Sequence, residues 1–442
     1  MDARVDTDRY ESLVNLADGL IGRDIYFSQA IYAEELSRVF AATWVCLGHE
    51  SQIPTPHDFF GQYIGEDPVI VWRDTDHRLR VFFNSCPHRG MKICRQESGN
   101  AEAFICPYHG WTFDSRGRLV GVPHERLAFG PGFDRSSRGL LEAPRVDSYQ
   151  GFIFASWNDA VPSLSDYLGP VCWYLDILAT RQIGTLQVLP GQQRYRVQSN
   201  WKVAAENFAG DNYHTTHSHA SAFILGLLPP NETLGDCSVA APNGHGIAVQ
   251  PIPGKRLALE RVAARELGAV AVDYIETLHQ KLRQELSELQ AELFGLGVST
   301  LFPHFSFNDF SALFPVQLFF WQPKGAQCME VWQNLAFDSE APAEIRDRVM
   351  MPFATRAQSV SGLFGQDDVE NMEQVTEASR GLIARTRMPF DYTMGQGNEH
   401  PPEGAQGMPG RLGPFTTEMN QCNFYRYWLE LMKAPGHHLE IS

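Results

Sequence analysis

The segments CPHRG at 86–90 and CPYHGW at 106–111 decide the fold of the first part of the chain. They place four residues in the order Cys-x-His, seventeen intervening residues, Cys-x-x-His: Cys86, His88, Cys106 and His109. One kind of two-iron, two-sulfur cluster is held by two thiolates on one iron and two imidazoles on the other. The His pair raises its reduction potential above that of a cluster held by four cysteines. The spacing therefore predicts a one-electron redox centre held by two loops.

Zinc is the competing interpretation, because four Cys and His ligands also form a tetrahedral structural zinc site. The framing of the two loops favours iron and sulfur. Each pair begins Cys-Pro, each His is followed within two residues by a glycine, and Tyr108 and Trp111 flank the second pair. Glycine allows backbone amides to approach inorganic sulfur closely, and such hydrogen bonds tune a cluster.

A second candidate metal site lies in ENFAGDNYHTTHSHAS at 206–221. Two imidazoles and one carboxylate on one face of Fe(II) leave open positions where O2 can bind beside a substrate. His214 is the first imidazole. At about 100° per helical residue, His217 lies about 60° from it and His219 about 140° away, so helical geometry alone favours His217.

The two loops resemble those of Rieske non-haem iron oxygenases, and the segment 206–221 resembles the mononuclear iron motif of that family's large subunits. The resemblance implies a Rieske two-iron, two-sulfur cluster in the loops and one mononuclear Fe(II). The family's spacing between the two imidazole ligands selects His219, not His217, as the partner of His214.

The third iron ligand is expected in GLFGQDDVEN at 362–371, which resembles the family's distal carboxylate segment. The second aspartate of that segment binds the iron in the family, which selects Asp368. Asp367 stays an alternative. Gly365 stands where the family usually has glutamate, and the segment also matches an ordinary solvated acidic turn.

Asp211 lies three residues before His214, so a helix would place both on one face, where the carboxylate orients the imidazole. The resemblance implies a larger catalytic role. In the family the equivalent aspartate carries electrons between subunits of a trimer, which pairs Asp211 with His109 of another copy of the chain. Asn207 matches a family position near the iron and is assigned to the catalytic site with Asp211.

Aromatic and aliphatic residues flank the iron motif and would form an apolar pocket for an arene if they converge. Ordinary core packing explains each of them equally well, because aromatic residues dominate cores. His304 could contact a polar substituent of the arene, although a lone histidine is more often structural than functional. The predicted pocket comprises Asn207, Phe208, Phe302, His304, Phe307, Leu363 and Phe364.

The chain has 442 residues, of which 43 % are hydrophobic and 20 % charged, and a formal net charge of −16. This composition predicts a globular protein of two or three domains. The acidic balance argues against nucleic acid or anionic membranes as partners. The start of the sequence is polar, no run of eighteen apolar residues occurs, and the remaining cysteines show no disulfide framework, so we expect a cytoplasmic protein.

Strand-like runs at 69–72, 79–83 and 151–157 predict a small antiparallel domain around the cluster loops. Beyond it, a helix over 201–214, a helix whose buried face is the leucine stripe at 278–293, and a hairpin from 314–321 and 328–337 predict sheet and helices together. The Gly- and Pro-rich segment 395–414 is expected to form a loop, and residues 416–434 are expected to form a C-terminal helix that docks on the protein. We expect an α+β protein with a small all-β Rieske domain and a catalytic domain of antiparallel sheet with helices, of the helix-grip or START-like type. The predicted boundaries are an N-terminal segment 1–40 packing with the catalytic domain, the Rieske domain 41–155 and the catalytic domain 156–442.

The resemblance identifies the chain as the large (alpha) subunit of a multicomponent aromatic ring-hydroxylating dioxygenase, similar to the naphthalene and biphenyl dioxygenase group. Such an enzyme inserts both atoms of O2 into an arene and yields a cis-dihydrodiol. It implies a ferredoxin or reductase as electron donor, a small beta subunit and an alpha3beta3 hexamer. A Rieske monooxygenase or O-demethylase is the alternative, and a zinc-stabilised binding protein or a plain electron carrier are alternatives from other classes.

Overall fold

The computed structural model describes residues 7–225, 237–252, 254–293, 295–357 and 359–434. The described chain forms two compact units. One comprises Phe40–Leu164, and the other comprises the segment up to Val39 together with Ser165 onward. Among the described residues, no helix is both long and apolar enough to cross a bilayer.

The two longest strands, β19 and β20, lie in the second unit. In chain order they are β1 Val14–Asn15, β2 Leu20–Ile21, β3 Val45–His49, β4 Asp58–Ile64, β5 Asp67–Arg73, β6 Leu79–Phe83, β7 Ser98–Asn100, β8 Ala103–Ile105, β9 Thr112–Asp114, β10 Leu119–Gly121, β11 Arg145–Tyr149, β12 Phe152–Ser156, β13 Leu186–Val188, β14 Gln193–Val197, β15 Cys237–Ala241, β16 His245–Val249, β17 Gly297–Leu301, β18 Phe305–Asp309, β19 Val316–Pro323, β20 Met329–Asp338, β21 Phe390–Asp391 and β22 Arg411–Pro414.

The α-helices fall almost entirely in the second unit. They are α1 Thr7–Leu13, α2 Gln29–Glu35, α3 Glu125–Ala128, α4 Leu164–Leu168, α5 Val171–Thr180, α6 Trp201–Asn207, α7 Thr215–Ser218, α8 Ala220–Ile224, α9 Arg256–Leu267, α10 Ala269–Glu285, α11 Glu288–Ala291, α12 Ala343–Pro352, α13 Gly365–Ser379, α14 Leu382–Arg387 and α15 Met419–Lys433.

Three small antiparallel sheets make up the unit Phe40–Leu164, with strand orders β11-β12-β3, β6-β5-β4-β7 and β10-β9-β8. Its predicted strands at 69–72, 79–83 and 151–157 lie in β5, β6 and β12, which confirms them. One aromatic cluster fills the core around the two cysteines of the loops, including Phe59, Trp72, Phe82, Phe104, Trp111 and Phe113.

The second unit is built on a nine-stranded antiparallel sheet with the order β13-β20-β19-β18-β17-β16-β15-β22, in which β14 also pairs with β20. The predicted hairpin is β19 and β20, in register from Val316 opposite Ala336 to Pro323 opposite Met329. Helix α13 and the segment from the end of α6 to α8 carry the candidate site described below. The α+β class and the two kinds of domain are as predicted from the sequence.

Two sequence expectations about secondary structure are wrong. The leucine stripe does not lie on one helix, because α10 ends at Glu285 and Leu286 is extended, after which Ser287 caps the short α11. The segment 395–414, expected to be irregular, contributes the edge strand β22, which pairs with β15. The predicted C-terminal helix is α15, whose Phe424, Tyr425 and Trp428 are completely buried.

Candidate functional site

The two cluster loops share one backbone pattern. In the first loop the amide of Cys86 donates to the carbonyl of Met91 at 2.9 Å, and the amide of Gly90 donates to the carbonyl of Cys86 at 2.8 Å. The second loop repeats both bonds from Cys106 and Gly110, at 2.7 and 2.9 Å. Both glycines have a positive φ, of 69° and 73°, which a side chain would disfavour. The repeated Cys-Pro-x-x-Gly framing of the sequence therefore encodes two equivalent turns.

These turns bring the four predicted ligands together. The Cys86 and Cys106 side chains are buried, and the rings of His88 and His109 lie 4.5 Å apart between centroids. Trp111 stacks on His88 at 4.9 Å with an interplanar angle of 5°. Nδ1 of His88 is buried and makes no hydrogen bond with any described residue.

This arrangement fits a Rieske cluster. Burial, together with the neighbouring Cys106 thiol, raises the pKa of Cys86 to about 11, and a metal binds the deprotonated thiolate. Burial and the neighbouring His109 lower the pKa of His88, which favours the neutral imidazole that binds metals.

Helix α6 is shorter than predicted. It begins after Asn200, whose side chain accepts a hydrogen bond from the amide of Lys202 at 3.0 Å, and it ends at Asn207. Gly210 then takes a φ of 100°, which breaks the helix before the candidate ligands. The expected helix over 201–214 is therefore wrong. A turn, not a helix face, brings Asp211 to His214.

A separate short helix presents the two candidate imidazoles. His214 stands immediately before α7, and His219 lies between α7 and α8 with φ −102° and ψ 31°. Because the chain is not one continuous helix here, the angular argument for His217 does not apply. His217 is exposed, whereas His219 is buried and faces His214, with their ring centroids 5.2 Å apart.

Asp368 on α13 completes a three-residue group. Its Oδ1 lies 3.5 Å from Nε2 of His214 and 3.3 Å from Nε2 of His219. The three ligand atoms lie within 4.8 Å of one another. Oδ1 is buried and makes no contact of hydrogen-bond geometry with any described residue. Two imidazoles and a carboxylate that converge without bonding one another suit a metal ion with open positions.

Electrostatics also favour a cation at this point. Burial alone would lower the pKa of His214, but Asp211 and Asp368 raise it to about 10. Burial would raise the pKa of Asp368, and the two histidines lower it below its usual value. The surrounding carboxylates therefore attract a positive charge between the imidazoles, which a proton supplies when no metal is bound.

Neighbouring polar groups fix the outer nitrogens of the two imidazoles. Asp367 Oδ2 lies 3.3 Å from Nδ1 of His219, and Asp211 Oδ2 lies 3.4 Å from Nδ1 of His214. Nδ2 of Asn207 lies 3.5 Å from the same nitrogen of His214. Asp367 thus contacts the outer face of a histidine and Asp368 the inner one, which separates the two aspartates that the sequence left as alternatives.

Sequence reasoning missed the polar groups that anchor α6. Glu35 is completely buried and accepts hydrogen bonds from Lys202 Nζ at 2.6 Å and from the indole nitrogens of Trp201 and Trp428, both at 2.9 Å. Glu35 lies on α2, and its partners lie on α6 and α15. No local pattern in the sequence connects residues so far apart along the chain.

Glu206 and three tyrosines form a second polar group that sequence reasoning missed. Its carboxylate accepts from the Tyr392 hydroxyl at 2.6 Å and from the Tyr26 hydroxyl at 3.3 Å, and Tyr26 in turn contacts Tyr425. Burial, with a smaller contribution from Asp211, raises the pKa of Glu206 to about 7. The carboxyl next to Asn207 in the chain is therefore poised to hold a proton.

A cavity lies beside Asp368, between one face of the sheet and helix α13. It is lined by Tyr195, Val197, Phe208, Phe319, Trp321, Val331, Gly365, Asp368, Val369 and Met372. Of the predicted pocket, Phe208 is part of this lining. Phe364 packs its ring 5.1 Å from that of His219, and Leu363 precedes it as a half-buried residue.

The other predicted pocket residues lie outside the lining. Phe307 pairs with Leu318, and therefore faces the side of the sheet opposite Phe319 and Trp321. Phe302 packs against Phe424 and Tyr427, with ring centroids 5.0 Å from each. His304 is completely buried, which lowers its pKa to about 3 and keeps its imidazole neutral.

Comparisons with known proteins identify two domains in the chain. Residues 43–131 match the Rieske [2Fe-2S] domain, and residues 188–433 match the ring hydroxylating alpha subunit (catalytic domain). The alpha subunit of biphenyl dioxygenase from Metapseudomonas furukawaii is 36 % identical over 441 residues, covering 96 % of this chain and 93 % of that protein. The alpha subunit of benzene 1,2-dioxygenase from Pseudomonas putida is 35 % identical over 445 residues, covering 97 % and 94 %.

A solved structure shows the same fold. The crystal structure of naphthalene 1,2-dioxygenase from Rhodococcus sp. bound to indole superimposes with a TM-score of 0.86 at 33 % identity, covering 98 % of this chain and 99 % of that one.

Proposed function

Because the chain belongs to the family of aromatic ring-hydroxylating dioxygenase alpha subunits, we propose that His214, His219 and Asp368 bind its mononuclear iron. The enzyme is an oxidoreductase that carries a Rieske two-iron, two-sulfur cluster and one mononuclear iron. We assign the cluster to Cys86, His88, Cys106 and His109. The observation that carries the proposal is the convergence of two imidazoles and one carboxylate beside an apolar cavity.

The proposed reaction is the insertion of both atoms of O2 into an arene to give a cis-dihydrodiol. Held by His214, His219 and Asp368, an iron would supply the oxygen-activating chemistry, and a Rieske cluster held by the two loops would supply single electrons. Phe208, Phe319 and Trp321 hold a flat apolar ring beside Asp368 and keep water out. Asp367 and Asp211 hold the two imidazoles in the orientation that points Nε2 inward.

Electron supply is proposed to cross between copies of the chain. Asp211 contacts His214 and leaves 31 % of its side chain exposed, so its carboxylate is available to a second partner. We propose that this partner is His109 of a neighbouring copy in a trimer. A ferredoxin or reductase would reduce the cluster, and a small beta subunit would complete an alpha3beta3 hexamer. A cytoplasmic location and the domain boundaries stay predictions from the sequence.

Turnover with labelled oxygen tests the proposed reaction. The holoenzyme, supplied with an electron donor, is incubated with ¹⁸O2 and with biphenyl, naphthalene or benzene, and the products are identified by mass spectrometry. Two labelled atoms in one cis-dihydrodiol are expected. A single labelled atom, or removal of methyl groups from aryl ethers without ring oxidation, would establish the monooxygenase or demethylase alternative instead.

A further inference from the structure

The segment 123–138 of the unit Phe40–Leu164 is linked to the cluster loops by aromatic rings. Trp111, which stacks on His88, has its ring centroid 6.1 Å from that of Phe129 and 5.9 Å from that of Phe133. Phe129 is 41 % exposed. Two ring contacts therefore connect the molecular surface with a proposed ligand of the cluster. Because electron transfer slows steeply with distance, a redox partner seated on this segment would lie close enough to reduce the cluster.

The same surface exposes apolar side chains among charged ones. Leu127 is 89 % exposed, and Val120, whose carbonyl accepts a hydrogen bond from Arg135 at 2.8 Å, is 44 % exposed. An open depression of about 470 Å³ is lined by His124, Glu125, Arg126, Leu127 and Arg135. Exposed apolar groups rimmed by polar residues are typical of a surface that another molecule covers.

The charge of this surface is opposite to that of the whole chain. The segments 86–95 and 123–138 together hold six Lys or Arg and two Asp or Glu, a formal charge of +4 in a chain of −16. Arg135 pairs with Glu125 at 2.6 Å, whereas the exposed Arg126 makes no ion pair with any described residue. Complementary potentials steer association and select partners. An acidic partner is therefore attracted here and repelled by the remaining surface, which is acidic on average.

The two proposed imidazole ligands of the cluster have different neighbours. Tyr108 packs on His109 with ring centroids 3.8 Å apart, and His109 is the proposed contact with another copy of the chain. His88 instead contacts Trp111 and, through it, the segment 123–138. Electrons can thus enter the cluster beside one imidazole and leave beside the other.

We propose that residues 123–138 form the docking surface for the electron donor, and that this donor is an acidic one-electron carrier protein. This inference rests on the proposed function, because it requires a Rieske cluster in the two loops that is reduced from outside. One electron passes from the reduced carrier, which becomes oxidised, to the oxidised cluster, which becomes reduced, and no covalent bond forms or breaks. Arg126 steers the carrier to the surface, and Leu127 supplies an apolar contact.

Stopped-flow reduction of the loaded protein, followed through the visible absorbance of the cluster, tests the proposal. The probe is a reduced plant-type [2Fe-2S] ferredoxin, an acidic protein whose reduction potential lies below that of Rieske centres. We expect the second-order rate constant at low salt to fall about fivefold in Arg126→Glu, and the wild-type rate constant to fall as ionic strength rises.

Arg387→Glu is the matched control. Arg387 is also exposed, but it lies on α14 in the other unit, and its substitution changes the net charge by the same amount. The rate constant of this control should stay within twofold of the wild type. Equal rate constants in Arg126→Glu and the wild type, an equal loss in Arg387→Glu, or a wild type whose reduction does not depend on salt would overturn the proposal.

Light scattering provides a readout that needs no electron transfer. The molar mass in solution should be the same for the wild type and Arg126→Glu. A smaller assembly in the variant would show that this surface binds a second copy of the chain, which would overturn the proposal. A wild type that lacks the visible spectrum of an iron-sulfur cluster would refute the proposed function itself, whereas a normal spectrum with unaffected reduction of Arg126→Glu would refute only the docking surface.

Discussion

Asp367 binds the outer nitrogen of His219, with Oδ2 3.3 Å from Nδ1, while its neighbour Asp368 faces the inner nitrogen of the same ring. One turn of α13 thus provides both the proposed iron ligand, Asp368, and the group that orients the imidazole of His219, Asp367. Substitution of each aspartate is therefore expected to have a different effect, although the two are adjacent in the chain.

Asp367→Asn is expected to weaken iron binding by roughly 10- to 100-fold, because an outer partner of a ligating histidine tunes its orientation and basicity. Asp368→Asn, which removes the proposed ligand, is expected to abolish binding of the mononuclear iron. Iron titration of the two purified variants, followed by metal analysis, measures both effects. Equal loss of iron in the two variants would contradict the division of roles.

Gly365 leaves no room for a side chain at the start of α13. A Cβ there would lie 2.6 Å from the Ser359 carbonyl oxygen, closer than any real contact. Gly365→Ala is therefore expected to displace the first turn of α13 and to lower the iron content and the activity together.

Gly381→Ala is the matched control for this variant, because its Cβ would meet the Ala378 carbonyl at 3.6 Å, an ordinary contact. Metal analysis and turnover should leave this control near wild type. Normal iron content in Gly365→Ala would show that the close approach to Ser359 does not position the ligand.

Glu35→Gln is expected to destabilise the catalytic unit by about 3 kcal/mol, because it leaves the buried Lys202 ammonium without its counter-charge. Both side chains are fully buried. Asp24→Asn removes an exposed ion pair with Arg385 and should change stability by less than about 1 kcal/mol. Thermal denaturation of the loaded enzymes compares them, and equal melting temperatures would contradict the anchoring role of Glu35.

The raised pKa of Glu206 predicts that the stability of the protein depends on pH. Its pKa is about 7 in the folded protein against a usual 4.5, so the folded state binds the proton more tightly than the unfolded state. Stability should therefore fall as pH rises from about 4.5 to about 7, by on the order of 3 kcal/mol from this group. Among the groups that face it, Tyr26, Tyr392 and Tyr425 lower the pKa of Glu206 through hydrogen bonds, whereas Asp211 raises it.

Glu206→Gln should flatten this dependence, since glutamine does not titrate. Urea denaturation followed at about pH 5 and about pH 8 measures the change for each protein. A wild-type protein as stable at the higher pH as at the lower one would contradict the assignment, as would a variant that keeps the full slope.

Local motifs were enough to predict the cluster loops and the metal-binding segment because the residues of each are close in sequence. Cys86 and Cys106 stand in two turns of the same form, and each turn is encoded by its own five residues. The helix over 201–214 was wrong because Gly210 ends a pattern that is otherwise compatible with helix. His219 became a candidate ligand through the family spacing, and a break in the helix makes its geometry possible.

The cavity could not be predicted from the sequence, because it is created by strand pairing and not by local sequence. Tyr195, Val331 and Trp321 become neighbours only through the register of β14, β20 and β19. Phe307 was part of the predicted pocket, yet the pleat turns it to the face of the sheet opposite Phe319. Glu35 and Lys202 are likewise joined only by the packing of distant helices.

Analysis of iron and acid-labile sulfide per chain tests the central claim most directly, with His219→Ala and His217→Ala measured beside the wild type. The wild type should hold two cluster irons, two sulfides and one further iron. His219→Ala should lose the single iron and keep the cluster, and the exposed His217 should be dispensable. Zinc in place of sulfide-bridged iron, or an iron content that falls with His217 and not with His219, would contradict the account.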